Sequence, residues 1–175
     1  MYVYLFDELG VLYGPAEIDD VPGLGRLMPA NGIEVEEELV KADEGKVWAL
    51  VNEVPTQLAD HRGTVYEVAT GLSGDWTKLG ELPAEYTLLP YPGQHYVWGG
   101  TDWVLDEVAA AKAQRNQLLD AANQATAGMA DAYIAGLLDK PTTTLYKAFA
   151  AYKVALSKIE EQPGFPTTID WPTSP

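Results

Sequence analysis

The sequence predicts an α+β chain. A small antiparallel β-rich domain spans residues 1–103, and a helical domain, a hairpin of helices with heptad-like seams, spans 104–175. Three observations predict it. Short runs of strand-favouring apolar and aromatic residues, punctuated by Gly and Pro, fill the first hundred positions. From about residue 105 Ala, Gln, Leu and Lys take over and the breakers thin out. Charge changes with the grammar: residues 1–100 hold 17 acids and 5 bases, residues 101–175 hold 9 and 6.

Residues 1–6 (Met-Tyr-Val-Tyr-Leu-Phe) read as a strand, punctuated by Gly10 and Gly14-Pro15. Residues 21–31 carry Pro22, Gly23, Gly25 and Pro29, which predicts a long loop. The acidic run 34–38 predicts a solvated segment. Residues 46–51 (Lys-Val-Trp-Ala-Leu-Val) form a strand that Pro55 closes. Residues 64–69 alternate with period two. A turn at Gly71 and Gly74-Asp75 leads to a third strand at 76–79, completing a meander. Residues 81–92, with Pro83, Pro90 and Pro92, predict extended loop. Gly99-Gly100 joins two short aromatic strands at 96–98 and 101–104.

Positions Val104, Val108, Ala111, Arg115, Leu118, Ala122, Ala125 and Met129 step by four and three, an Ala-rich helical seam. Residues 131–140 predict a short helix turning Ile134, Leu137 and Leu138 inward. After Pro141, Thr142 or Thr143 supplies a helix cap. Leu145, Phe149, Tyr152, Leu156 and Ile159 then make a larger apolar seam, stopped by Pro163-Gly164. Leu118 and these five are the candidates for helix packing and self-association. The tail 165–175 reads as extended, docking Phe165, Ile169 and Trp171 on the helices. A helix with an Ala seam buries little area alone, so it needs the second helix, another copy or a partner.

The chain has 175 residues, room for one domain or two small ones, with ordinary fractions of apolar (47%) and charged (21%) residues. Its net charge of −15 and pI near 4.3 argue against nucleic acid and anionic lipid as partners, because both demand clustered Lys and Arg. No apolar run approaches the ~20 residues of a membrane span. The opening residues lack a basic start, so no signal peptide and no membrane insertion are expected, and the cytoplasm or an assembly is the expected setting. With no Cys, disulfides and thiolate zinc sites are excluded.

Candidate chemistry is sparse. His61 and His95 stand alone, without a nucleophile or a metal-ligand spacing. Gly71-Leu72-Ser73-Gly74 is one residue short of a nucleophile elbow. The acids Asp19-Asp20, 36–38 and Asp43-Glu44 read as solvated faces rather than catalytic pairs, and no calcium loop is present. Gly23-Leu24-Gly25 lacks the third glycine and the βαβ setting of a dinucleotide site. No catalytic, cofactor or metal residue is assigned. The aromatic excess, with Trp48, Trp76, Trp98 and Trp103, reads first as β-domain core and second as an interaction surface. In Asp60-His61-Arg62-Gly63, Asp can cap the turn, Arg can pair with a carboxylate and Gly permits positive φ.

In combination these residues resemble the tail fibre assembly proteins of tailed bacteriophages, small chaperones of trimeric fibres. The likeness runs through Trp48, Asp60-His61-Arg62-Gly63, Val65-Tyr66, Gly71, Leu79-Gly80-Glu81-Leu82-Pro83, Thr87, Trp98-Gly99-Gly100 and Trp103-Val104. It continues through Arg115, the stretch 151–156 and Pro166, and ends at Ile169-Asp170-Trp171-Pro172. It covers roughly 46–175, and the length with the closing Trp-Pro suggests the Mu-type branch. Lys147-Ala148-Phe149 departs from it, standing where a Trp is frequent, and the first 45 residues match no pattern.

The resemblance implies a non-enzymatic chaperone without cofactor, working in the host cytoplasm during assembly. The variable segment 1–45 would grip the C-terminal tip of a fibre, with Tyr13, Leu24, Leu27 and Met28 as contact candidates. The helical part would gather copies and bring three fibre chains together. Members that stay on the virion would influence recognition of a host surface receptor. Asp60, Arg62, Gly63, Trp98, Trp103 and Trp171 would be structural. The rival readings are a carbohydrate- or receptor-binding module of a phage tail and a surface-polysaccharide hydrolase.

Overall fold

The computed structural model describes residues 1–175. They form two compact units, Met1–Tyr91 and Pro92–Pro175. The architecture is α+β: small antiparallel sheets make the first unit, and every helix lies in the second.

The first unit begins with β1 (Tyr2–Phe6), the central strand of a three-stranded sheet. β2 (Leu12–Tyr13) pairs on one side, with Leu5 opposite Tyr13. On the other side lies β5 (Gly32–Val35), with Tyr4 opposite Ile33. Val3 and Tyr4 point to opposite faces and both are buried. The Tyr4 hydroxyl accepts from the Leu39 N–H at 3.0 Å, so its polar tip is satisfied inside. Glu34 and residues 36–38 are solvated, as their composition predicts, although Glu34 and Val35 belong to a strand.

Between these strands, β3 (Asp20–Val21) and β4 (Gly25–Arg26) form a two-stranded hairpin. The predicted long loop at 21–31 is therefore corrected. The breakers that argued for loop are the turn: Pro22, Gly23 and Leu24 connect the strands, and the Leu24 N–H donates to the Val21 carbonyl at 3.0 Å.

The next correction concerns Pro55. It does not end the strand region but lies within β7 (Val54–Ala59), paired along its length with β6 (Lys46–Val51). Asn52 and Glu53 form the two-residue loop, with φ of 52° and 66°. In such a hairpin Val51 and Val54 exchange bonds, then Ala49 and Thr56, so Pro55 opposite Leu50 faces outward. Its missing N–H is one the ladder does not use. The outward Leu50 N–H donates instead to the Gly10 carbonyl at 2.9 Å.

The meander exists with shifted turns. β8 (Gly63–Glu67) pairs with β9 (Ser73–Trp76) on one side and with β10 (Tyr86–Thr87) on the other. Gly74-Asp75 lies inside β9 rather than in the turn, and the turn falls at 68–72. There the Gly71 N–H donates to the Glu67 carbonyl at 2.7 Å. Residues 81–92 are extended loop apart from β10. Val65, Ala49 and Val11 join Val3 and Tyr4 as the buried hydrophobic residues of this unit, and Thr87 is buried in the same unit as a polar residue.

The second unit begins with the hairpin of β11 (Tyr96–Trp98) and β12 (Trp103–Leu105). The sequence places the compositional change at 103/104, whereas the compact units divide at Tyr91/Pro92. A physical tie explains the hairpin's allegiance. The Asp106 N–H donates to the His95 carbonyl at 2.6 Å, and Asp106 caps the first helix by accepting from the Ala109 N–H at 2.9 Å. That helix, α1 (Glu107–Ala125), is shorter than its seam: Val104 sits in β12 and Met129 begins α2 (Met129–Ile134). α3 (Lys140–Ser157) is capped by Asp139 rather than by Thr142 or Thr143. Asp139 accepts from the Thr142 N–H at 2.9 Å, and Pro141 sits in the first turn, where its missing N–H costs nothing.

The core of this unit is Ala122, Phe149, Tyr152 and Leu156, with Leu118, Leu119 and Trp171 packed against it. The small Ala122 lets α3 approach α1 closely. Ile159 is buried in the 3-10 turn Ile159–Glu161. Glu160 pairs with Lys112 at 3.3 Å and with Arg115, and Lys153 donates to Thr126 at 2.6 Å. These ties run the two helices antiparallel. Turns occupy 163–167 before the tail becomes irregular. The tail is held by Gln162, whose side chain donates to the Asp170 carbonyl at 2.9 Å and accepts its N–H at 2.8 Å.

Candidate partner-binding surfaces

In the first unit the Asp60-His61-Arg62-Gly63 segment folds as its residue types predict. Arg62 places Nε 2.7 Å from Asp60 Oδ1 and Nη2 2.7 Å from Oδ2, a two-pronged charged pair. The Arg62 N–H also bonds Asp60 Oδ1 at 3.2 Å, and Gly63 takes a φ of 129°. The Arg62 guanidinium holds the Asp60 carboxyl below the usual carboxylate range against the opposing effect of burial.

Tyr13 is exposed on β2, and its hydroxyl donates to Asp7 Oδ2 at 2.9 Å. That bond raises the Tyr13 phenol above its ordinary value. Burial works to raise the Asp7 carboxyl, but bonds from the Val11 N–H, the Tyr13 hydroxyl and the Leu9 N–H hold it below its usual range. Tyr13 is thus a fixed ring edge rather than a free side chain.

The other three contact candidates lie on or just after the β3–β4 hairpin, where every residue from 21 to 28 is exposed. Leu24 at the turn is 70% exposed and Leu27 is 53% exposed. Met28 is less so, its sulfur lying against Gly32. Beside the hairpin a cleft of about 490 Å³ is lined by Tyr2, Glu17, Ile18, Asp19 and Arg26. No group of three or more His, Asp or Glu residues in the chain is placed to hold a metal ion.

In the second unit Phe149, Tyr152, Leu156 and Ile159 are buried and Leu118 is partly buried against them. Leu145 differs: it is 41% exposed and outside the core. The reason is length. α1 ends at Ala125, and Thr126 already stands opposite Lys153, so the first turns of α3 project past the end of α1. A second correction falls on α2 and the loop after it. Ile134 and Leu137, predicted to face inward, are 83% and 78% exposed. α2 is only six residues long, and the side it turns to α3 is Tyr133, whose ring lies 5.2 Å from Tyr146. Ile134 and Leu137 are exposed apolar residues that sequence reasoning missed as surface, and so are Val104 and Val108 of the first seam, 53% and 40% exposed. The helical spacing of Ile134 and Leu137 suggested core, and only the shortness of α2 argued otherwise.

Residues 61–175 match the family model described as Caudovirales tail fibre assembly protein, lambda gpK. The chain belongs to this tail fibre assembly family. It is 32% identical over 157 residues to Protein TfaD of Escherichia coli K-12, an alignment covering 85% of this chain and 76% of TfaD. It is 32% identical over 124 residues to the tail fiber assembly protein of Escherichia phage lambda, covering 66% of this chain and 63% of that one. The prophage tail fiber assembly protein homolog TfaR of E. coli K-12 is also 32% identical over 124 residues, with 64% of its length covered. The match thus spans under two thirds of the lambda and TfaR proteins. No solved structure matches the chain.

The tail fibre assembly match begins at His61 and takes in Arg62-Gly63, the whole β11–β12 hairpin and all the helices. Within it the tryptophans divide. Trp103 is buried, and Trp98, directly across the hairpin, meets it edge-on with ring centres 5.2 Å apart. Trp171 packs on the helical core. Trp76 lies 5.5 Å from Tyr86, with the Lys78 ammonium over its ring. Among the four N-terminal-half tryptophans Trp103 is buried and Trp48, Trp76 and Trp98 are half-buried, so the core reading of those three holds in part.

Proposed function

We propose that this chain is a non-enzymatic chaperone that binds the C-terminal tip of a phage tail fibre and promotes its folding and trimerisation in the host cytoplasm. Family membership, together with relatives named as tail fiber assembly proteins, supports the assembly role. The observation that carries the binding reading is the exposed apolar hairpin at 21–28, which lies outside the family-matched region. We place partner choice on this surface because it lies outside the family model.

The physical logic is mass action. A trimeric fibre tip is a non-local assembly with a large ordering cost. A chaperone that holds one tip per copy and joins its copies raises the effective concentration of tips without ATP. Leu145, Ile134 and Leu137 supply exposed apolar area in the second unit for joining copies. A chaperone that stays on the finished fibre would also stand where a host receptor is met.

Co-expression with the fibre encoded beside it tests the reading, with mass measured by light scattering on a sizing column. Trimeric fibre that appears only with this chain, in complex with it, is the expected result. Soluble trimer formed alone, with no complex, would overturn the reading and leave a receptor- or carbohydrate-binding module.

A further inference from the structure

We infer that the β3–β4 hairpin surface docks on a fibre-tip surface that is apolar at its centre and basic around it. This inference rests on the assembly reading above and adds the chemistry of the partner.

Four apolar side chains stand out on one short segment: Val21, Leu24, Leu27 and Met28. The bond from the Leu24 N–H to the Val21 carbonyl fixes the turn that carries the first two, and Leu27 and Met28 follow β4 directly. Exposed apolar groups concentrated on one short segment cost solvation free energy unless a partner covers them. The charges that flank them along the chain point to that partner. Residues 1–45 contain eleven acids and two bases. Glu17, Asp19 and Asp20 lead into the hairpin, and Glu34 and residues 36–38 follow it, all exposed and none in an ion pair. The two sets are drawn together. Tyr2, which lines the cleft with Glu17, Asp19 and Arg26, pairs with Val35 in the middle of the second acidic run. Arg26 sits directly across the hairpin from Asp20 and forms no salt bridge.

Like charges held this densely repel one another in the free chain, and a partner of opposite sign relieves that repulsion. Second copies of this chain carry the same −15 charge and are disfavoured on this face. Nucleic acid and anionic membranes are disfavoured for the same reason. A protein surface with Lys and Arg around an apolar patch fits both halves of the pattern. Rim charges of this kind act on encounter, so they set the association rate and its salt dependence. The apolar centre sets the dissociation rate.

The test immobilises the C-terminal part of the neighbouring fibre and follows binding of the full-length chain at about 50 mM and about 500 mM NaCl. The expected result is an association rate that falls about tenfold or more with salt. The combined variant Glu36→Gln, Glu37→Gln, Glu38→Gln should also slow association at low salt with dissociation nearly unchanged. Leu24→Ser should do the reverse. All these positions are exposed, and circular dichroism verifies the fold of each variant. A complex whose association is indifferent to salt and to the Gln variant overturns the inference while leaving the assembly reading intact. No complex at either salt, with fibre that trimerises unaided, removes both.

Discussion

The Tyr91 ring lies so close over Gly71 that a Cβ built on Gly71 would come 2.4 Å from the ring's Cγ and Cδ1. Gly71 also has a φ of +73°, in the left-handed region. Two independent penalties therefore meet at one position: about 1 kcal/mol for left-handed backbone with a side chain, and about 1–3 kcal/mol for overpacking. Gly71→Ala should destabilise the first unit by roughly 2–4 kcal/mol in urea melts. Gly74, in the adjoining strand with open space around it, is the control. Gly74→Ala should stay within about 0.5 kcal/mol. Equal effects of the two would show that the Tyr91 ring does not enforce glycine at 71.

Asp139 should contribute to the acid sensitivity of the second unit. A bond with the Thr142 side chain, and then one from the Thr142 N–H, holds its carboxyl below the ordinary value. A carboxyl lowered on folding adds stability that is complete above its unfolded pKa. That stability disappears as pH falls through the folded value. Asp139→Asn retains a cap but removes the titration. The melting temperature of the native chain should therefore exceed that of the variant at pH 7, and the gap should close below about pH 4. A gap independent of pH would show that the charge of Asp139 contributes nothing.

How far the sequence could be read depended on whether local signals agreed with tertiary context. Tyr2–Phe6, Lys46–Val51 and the Trp98/Trp103 hairpin carry strand-favouring residues and plain turn signals, and they fold where those signals point. β7 was hidden because Pro55 is permitted by the parity of the ladder. Its loop, Asn52-Glu53, also lacks the Gly that marks most two-residue turns. β3 and β4 were hidden because two-residue strands leave no periodicity. The packing residues Phe149, Tyr152 and Leu156 were legible from helical spacing. Leu145, Ile134 and Leu137 share that spacing but are left exposed, which only the true ends of α1 and α2 reveal. Of the contact candidates, Leu24 and Leu27 are exposed, whereas the bond from Tyr13 to Asp7 had no signal in the order of residues.

Arg62 offers a test of geometry against charge. Its fork meets both Asp60 oxygens, and both side chains are about a quarter exposed. Arg62→Lys keeps the charge and loses one prong, which should cost about 1 kcal/mol or less. The Asp60 carboxyl should then titrate at higher pH, observable by NMR of its carboxyl carbon. A titration unchanged by Lys would mean that charge alone, not the paired bonds, holds Asp60 down.

Leu156 and Leu145 lie on the same helix and on the same predicted seam, yet they should respond in opposite ways. Leu156 is fully buried against Ala122 and Phe149, so Leu156→Ala should cost about 3 kcal/mol and lower the melting point of the second unit. Leu145 is half-exposed beyond the end of α1, so Leu145→Asp should leave the circular dichroism spectrum intact and change stability by about 1 kcal/mol or less. Its effect should appear instead in the assembly. If copies of the chain join through this end of the helical unit, Leu145→Asp combined with Ile134→Ser and Leu137→Ser should lower the mass measured by light scattering while each copy stays folded. Each of these side chains is solvated in a single copy, and each would lose its burial on separation. An unchanged mass in the folded triple variant would mean that this apolar surface does not join copies, and gathering of fibre chains would then need a different route.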